Sequence, residues 1–244
     1  MKEKKPFVPP ASVDPDVVEI RPITRIRGGE RLLVGDYILK ETTCPLELDG
    51  QWLASFHCLP RELPQLAAGY CYTRGFIQSA ADIDTLTVGA DNTIRLQTKA
   101  GGERPAFDAS PVRFSSDDVY RVKEDFEQRC ELYHLTGAAH SVALADADGV
   151  CIFMEDVARH NALDKVIGEM VLQGVDGHDK VFLFSGRLAL DMIDKVATTG
   201  VKLLIAPGAP TLAAVRLAEA RDITMLGFVR RNNINIYSHF QRIL

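Results

Sequence analysis

Apolar positions fall in short or alternating runs along the first half of the chain and in longer blocks along the second. Residues 18–20, 31–34, 37–39 and 46–48 have the period of strands with one covered face. Asp49-Gly50 is a two-residue turn signal, so 51–56 is predicted to pair back as a hairpin. Leu63, Leu66, Ala67 and Tyr70 recur at helical spacing within 63–76. Residues 85–88 and 93–98 flank the turn 89–92 as a second hairpin. This half is predicted as antiparallel β with one helix.

The second half alternates helices and strands. Residues 117–132 form a charged helical stretch, and 140–145 and 149–153 are strands joined by Asp146-Ala-Asp148. A helix follows with Leu163, Val166, Ile167, Met170 and Val171 on one face, Asn161 as its predicted N-cap and Gly174 as its stop. The run 181–184 is wholly apolar, as in a strand covered on both faces. Then come helix 188–199, strand 202–206, helix 211–220, strand 223–229 and a short last strand 234–237. Strands linked by helices at crossover length are parallel. The fold class is therefore α/β, a three-layer sandwich on a mixed sheet with one antiparallel hairpin strand, preceded by a mainly antiparallel β subdomain. Prolines 6, 9, 10 and 15 mark an N-terminal arm over 1–20. A Gly-, Pro- and Ser-rich stretch ending at 116 separates the β-rich part, 21–116, from the α/β part, 117–244.

Composition narrows the function. The 244 residues carry a net charge of -5, which argues against broad nucleic-acid or membrane-surface binding. No apolar run spans a bilayer, and no apolar segment follows Met1-Lys-Glu-Lys-Lys, so a cytoplasmic protein without a signal peptide is expected. Five widely spaced cysteines without C-x-x-C suit neither a disulfide framework nor a zinc site.

In an open α/β sheet, ligands bind at the carboxyl ends of the parallel strands. That rim is where polar chemistry gathers here: Glu155-Asp-Val-Ala-Arg-His160, Ser185-Gly-Arg187, Pro207 to Thr211, and Arg230-Arg-Asn-Asn233. The hairpin strand starting at His140 runs back beside the end of 149–153, which brings His140 to Asp156 and His160 as a predicted His–Asp–His group. Helix N-termini expected near Gly186 and Thr211, with Arg159, Arg187, Arg230 and Arg231, suit a phosphorylated ligand.

Taken together, several motifs resemble the FdhD/NarQ family of formate dehydrogenase accessory proteins. They are Thr136-Gly-x-x-His140, Glu155-Asp-Val-x-Arg-His-Asn-Ala-Leu-Asp-Lys165, Ser185-Gly-Arg187, Ala209-Pro-Thr211 and Thr224-x-x-Gly-Phe228 with Tyr237. The resemblance implies a core similar to the cytidine-deaminase fold without its zinc, and a homodimer. It implies receipt of sulfur from a cysteine desulfurase and its transfer to molybdenum bis(molybdopterin guanine dinucleotide) before that cofactor enters formate dehydrogenase. The cofactor-binding segment implied is Phe228-Val229-Arg230-Arg231-Asn232-Asn233, with His140, Asp156, Arg159, His160, Ser185, Gly186, Arg187 and Thr211 as other walls, and a GDP-like nucleotide as a simpler ligand. One departure bears on mechanism. The stretch 97–114, where the family carries a cysteine-rich persulfide loop, has no cysteine, and Arg74 stands where the family carries an acid. Cys130 is the nearest substitute thiol. Two readings stay open: a sulfurtransferase-type accessory protein, or a non-catalytic cofactor-binding chaperone or regulator.

Overall fold

A computed structural model describes residues 14–104, 106–107, 112–230 and 233–244. Residues 1–13 of the predicted arm lie outside the described residues.

The first element is a hairpin of two ten-residue strands, β1 (Val18–Arg27) and β2 (Glu30–Leu39), which forms a two-stranded sheet of its own. Next come β3 (Thr42–Leu48), β4 (Gln51–Cys58), α1 (Leu63–Thr73), β5 (Ile83–Val88) and β6 (Ile94–Thr98). They make a four-stranded sheet in the order β4-β3-β6-β5. Asp49 and Gly50 both take positive φ, as the predicted tight turn requires. The half is mainly antiparallel, as expected; the parallel pair is β3 with β6. Helix α1 intervenes and supplies the crossover that parallel pairing needs.

The second half holds α2 (Ser116–Arg129), α3 (Glu131–Thr136), β7 (His140–Asp146), β8 (Gly149–Asp156), α4 (Arg159–Gln173), β9 (Val181–Phe184), α5 (Leu190–Val196), β10 (Leu203–Ile205), α6 (Leu212–Ala220), β11 (Thr224–Arg230) and β12 (Asn233–Ser238). The predicted helix 117–132 is two helices that meet at Cys130. Ser115 starts the first through a capping box with Asp118. The sheet order is β12-β11-β10-β9-β7-β8. β9, β10 and β11 are parallel, and β7 lies antiparallel between β8 and β9. A second antiparallel strand, β12, corrects the expected single one. Arg230 pairs with Asn233, a link far too short for a crossover.

Both faces of this sheet are covered. Val142, Leu144, Phe182, Leu204 and Met225 pack on α4, α5 and α6, while Ala143, Val181, Leu183, Ile205 and Leu226 pack on α2. The first of these clusters continues without a break through α4 to α1 and its four-stranded sheet. Helices α1 and α4 approach backbone to backbone. A Cβ on Gly69 would lie 1.8 Å from the Asp164 carbonyl oxygen, and one on Gly168 would lie 1.8 Å from that of Gln65. Glycine at both positions is what allows the contact.

Candidate ligand-binding rim

Strand β8 runs on to Asp156, so Glu155 and Asp156 belong to the strand and not to the loop after it. Both are buried and serve the fold. Glu155 accepts from the Leu132 and Tyr133 amides at the start of α3 and from the Ser141 hydroxyl. Burial raises its pKa and these donors oppose the rise. Asp156 is fully buried. Its Oδ2 accepts from the Leu59 amide and the Lys165 ammonium at 2.8 Å, and its Oδ1 accepts from the Ala158 amide and the Asn161 side chain. Lys165, also fully buried, reaches Glu62 at 3.4 Å, and Asn161 donates to the His57 carbonyl. This network ties the end of β4 and the start of α1 to α4. Asn161 is not the N-cap of α4; Ala158 holds that place, and Asn161 sits in the first turn facing the network.

Arg159 and His160 stay half-exposed at the α4 start. In register, His140 lies opposite Asp156, as expected. The third member of the predicted His–Asp–His group has a different partner: His160 Nε2 is 3.1 Å from Asp191 Oδ2 at the start of α5. Both imidazoles titrate below the usual histidine range. Burial is the main cause for each, with the Arg159 guanidinium adding to it. Asp156 opposes the shift at His140, and Asp191 opposes it at His160.

Ser185 lies beside Ser141: the Ser141 amide donates to its hydroxyl at 2.8 Å, and its own amide donates to the Ser141 carbonyl. No helix begins at Gly186. Residues 185–189 are non-helical and α5 starts at Leu190 with an extended Ala189 before it, which removes one of the two predicted helix-end anion sites. Gly186 instead passes close to His140, whose Nδ1 would be 3.5 Å from a Cβ there. Thr211 is the N-cap of α6, its hydroxyl accepting from the Ala214 amide. Arg187 is exposed and packs its stem by Gly208, where a Cβ would meet its Cγ at 3.3 Å. Arg159, Arg187 and Arg230 make no ion pair among the described residues. Arg231 and Asn232 lie outside the described residues. Val229 is buried and Asn233 exposed.

At the far wall the backbone is strained. Phe228 has φ 49° where β11 bulges against β12. For a bulky side chain that conformation is unusual and costs on the order of 1–3 kcal/mol. Beside it, a Cβ on Gly227 would lie 2.9 Å from the Gly208 carbonyl oxygen, so the loop after β10 touches strand β11. The structure therefore gathers His140, Arg159, His160, Ser185, Gly186, Arg187, Thr211 and Phe228 at the ends of neighbouring strands and leaves Asp156 behind them in the core.

The thiols offer little nucleophilicity. Cys44, Cys58, Cys71 and Cys130 are buried, and burial pushes Cys130 up to about 11 and Cys71 up to about 12. Cys130 donates to the Phe126 carbonyl at the wall of a cavity of about 320 Å³ that also touches Ser185 and Pro207. Cys151, the exposed one, has a raised pKa from burial and from the Asp146 carboxylate that its Sγ meets at 3.2 Å. No group of three metal-binding side chains occurs among the described residues.

Sequence reasoning missed the Asp156–Lys165–Glu62 ion group and the contacts of Arg74. That arginine stacks on the Tyr70 ring at 3.6 Å and acts electrostatically on His160 and Asp164. Its departure from the family pattern was the available signal.

Comparison with known proteins agrees with this architecture. The profile of the FdhD/NarQ family matches residues 39–108 and 97–244. The Sulfur carrier protein FdhD of Shouchella clausii is 32% identical over 91% of this chain and 96% of its own length. That of Bordetella bronchiseptica is 32% identical over 91% and 93%. A crystal structure from Desulfotalea psychrophila, described as a candidate formate dehydrogenase accessory protein, superposes with a TM-score of 0.85 at 24% identity, covering 93% of this chain and all of that one. With a family profile running from residue 39 to the last residue and relatives of this similarity along nearly their whole length, the chain belongs to the FdhD/NarQ family.

Proposed function

We propose that this chain is an accessory protein of formate dehydrogenase that holds molybdenum bis(molybdopterin guanine dinucleotide) as cargo on the rim of its six-stranded sheet. The supporting observation is the trio Arg159, Arg187 and Arg230, free of ion pairs among the described residues and carried at the ends of β8, β9 and β11. Guanidinium groups left without carboxylate partners match the bidentate needs of a pyrophosphate. Gly186 and Gly208 leave room for close approach next to them. The donor set fits the phosphate-bearing parts of the cargo; Phe228 and the apolar wall near Pro207 suit a flat ring.

Calorimetric titration with GDP, the smallest ligand sharing that chemistry, tests the reading. Arg187→Ala combined with Arg230→Ala is expected to weaken binding by roughly a hundredfold or more, since each charge-assisted contact contributes about 1.5–3 kcal/mol. Unchanged affinity overturns the rim assignment.

The same proposal holds that cargo binding proceeds without a persulfide on the 97–114 stretch. That stretch lacks a cysteine, and the thiols elsewhere are buried or have raised pKa values. A persulfide carrier needs an accessible thiolate. Incubation with a cysteine desulfurase and labelled cysteine is expected to leave no sulfane sulfur on this protein. Label on any cysteine restores the sulfur-carrier reading given by the names of its relatives.

A further inference from the structure

Helices α4 and α5 carry ionisable groups in matching pairs. His160 and Asp164 lie one turn apart on α4, and Asp191 and Lys195 lie one turn apart on α5. Side chains at that spacing share a helix face. The two faces meet as the rungs of a ladder: His160 Nε2 is 3.1 Å from Asp191 Oδ2, and Lys195 Nζ is 2.6 Å from Asp164 Oδ2. A basic and an acidic group alternate along each helix and across each rung. The second rung is the buried one, with the Asp164 side chain 2% and the Lys195 side chain 12% exposed. It fixes α5 against α4 and so sets Asp191 opposite His160 at the open end of the ladder.

The first rung decides the chemistry of the imidazole. A carboxylate only accepts hydrogen bonds, so Nε2 carries the proton of the neutral ring and Nδ1 carries the lone pair. Nδ1 makes no hydrogen bond among the described residues. Burial disfavours the imidazolium, and four charged groups act on it besides. Asp191 favours the charged ring, while Lys195 on α5, Arg159 on α4 and Arg74 at the end of α1 disfavour it. Lys195 is already held by Asp164, on which Arg74 also acts. Arg159 has no carboxylate partner among the described residues. An anion taken up by Arg159 therefore cancels one of the opposing charges and adds its own attraction to the ring, while Asp191 stays in place.

We infer that Asp191 is a positioning residue of the rim: it holds His160 by Nε2, so that a phosphate-bearing ligand binds with uptake of a proton at Nδ1. The proton comes from solvent, the Nε2–H stays on Asp191, and the doubly protonated ring adds a cationic contact next to Arg159. Asp191 acts through His160 and not on the ligand. The inference rests on the rim reading above and gives it a regulation, with the ligand held more tightly as the pH falls and released as it rises.

Two measurements on the full chain test it. The first needs no ligand. Imidazole NMR spectra across pH are expected to show the neutral His160 of the parent as its Nε2–H form. Asp191→Asn removes the charge and keeps the size, and is expected to lower the pKa of His160 by about one unit, with Asp191→Glu returning most of it. The second is calorimetric titration with GDP at about pH 7 in buffers of different ionisation heat, which counts protons. The proteins carry His140→Gln, so that His160 is the rim histidine that titrates. Uptake is read as the excess over His140→Gln/His160→Gln, which cancels the proton exchange of the GDP phosphate itself. That excess is expected to fall about twofold or more in Asp191→Asn and to recover in Asp191→Glu. An Nδ1–H form in the parent, or a His160 pKa unchanged by Asp191→Asn, overturns the proposal. So does GDP binding with no excess uptake, or with an excess equal in Asp191→Asn. Absence of GDP binding in the parent overturns the rim reading and the proton-coupled step with it. The ligand-free spectra then still decide whether Asp191 holds His160, so the two failures are told apart.

Discussion

Asp156 and Arg159 are three residues apart in one motif and do opposite work. Asp156 lies in the core with four donors around it, and with Asn161 and Lys165 it fastens α4 to β4 and α1. Arg159, with His160, faces outward at the edge of the sheet. A single polar run thus holds a buried clamp and a half-exposed cationic edge. The density of charge in such a run does not by itself mark a ligand site, because half of it can be spent inside the protein. Burial and partner count separate the two roles.

The sharpest way to test that separation is to remove one member of each. Lys165→Met takes the cation from a buried carboxylate, and breaking a buried ion pair from one side costs about 3–5 kcal/mol. Denaturant unfolding should show that loss. Arg159→Ala, removing a half-exposed group with no ion pair among the described residues, should move stability by less than about 0.5 kcal/mol. Equal losses from the two variants would abolish the distinction.

Gly168→Ala tests the clamp from the other side. The new methyl would meet the Gln65 carbonyl carbon at 2.7 Å and its oxygen at 1.8 Å, and backbone atoms cannot swing away as a side chain can. α1 must shift from α4, at a cost of about 3 kcal/mol, the upper end for overpacked cores. Unfolding midpoints of this variant and of Lys165→Met should both fall well below that of Arg159→Ala. A Gly168→Ala protein as stable as the parent would mean that α1 and α4 do not meet as closely as described.

The fold was legible in the sequence wherever one element's periodicity was enough. The runs 181–184 and 223–229, the Asp49-Gly50 turn and the stop at Gly174 each carry a local cause. What stayed hidden depends on two elements at once. Leu163, Val166, Ile167 and Met170 announce one covered face of α4, but Asp164, Lys165 and Gly168 lie on a second face covered by α1, and no pattern within 159–173 says that a helix almost a hundred residues earlier packs there. Gly69 and Gly168 were the only trace of it. The same limit applies at the rim. The topology placed His140 opposite Asp156 correctly, because a hairpin register is local. The pairing of His160 with Asp191 needed the position of α5, whose start was misplaced by reading a helix from Leu188. The extended Ala189 delays it to Leu190.

On the exposed side, Arg159→Ala is expected to weaken GDP binding roughly tenfold to a hundredfold, the range for one charge-assisted contact of about 1.5–3 kcal/mol. Lys165→Met, if it still folds at low temperature, should leave affinity within a few-fold. Calorimetry on both variants therefore inverts the ranking given by unfolding. If Arg159→Ala binds as the parent does, the cationic edge narrows to Arg187 and Arg230.

The smallest effect is the pH dependence, and its sign differs between stability and binding. His140 and His160 titrate below about 6.5 in the folded chain, so the unfolded chain takes up protons first as the pH falls. Their contribution to stability is present above that pH and is lost below it, down to the folded values. A bound phosphate acts the other way. It favours the imidazolium forms, so affinity should rise on acidification, by a few-fold between pH 7.5 and 5.5. The terminal phosphate of GDP also gains a proton near pH 6, which reduces the gain. Comparing the parent with His140→Gln/His160→Gln removes that contribution, since it is common to both proteins. The ratio of their affinities should favour the parent increasingly as the pH falls. A ratio that stays constant would place both histidines outside reach of the ligand and leave the cationic edge to the arginines alone.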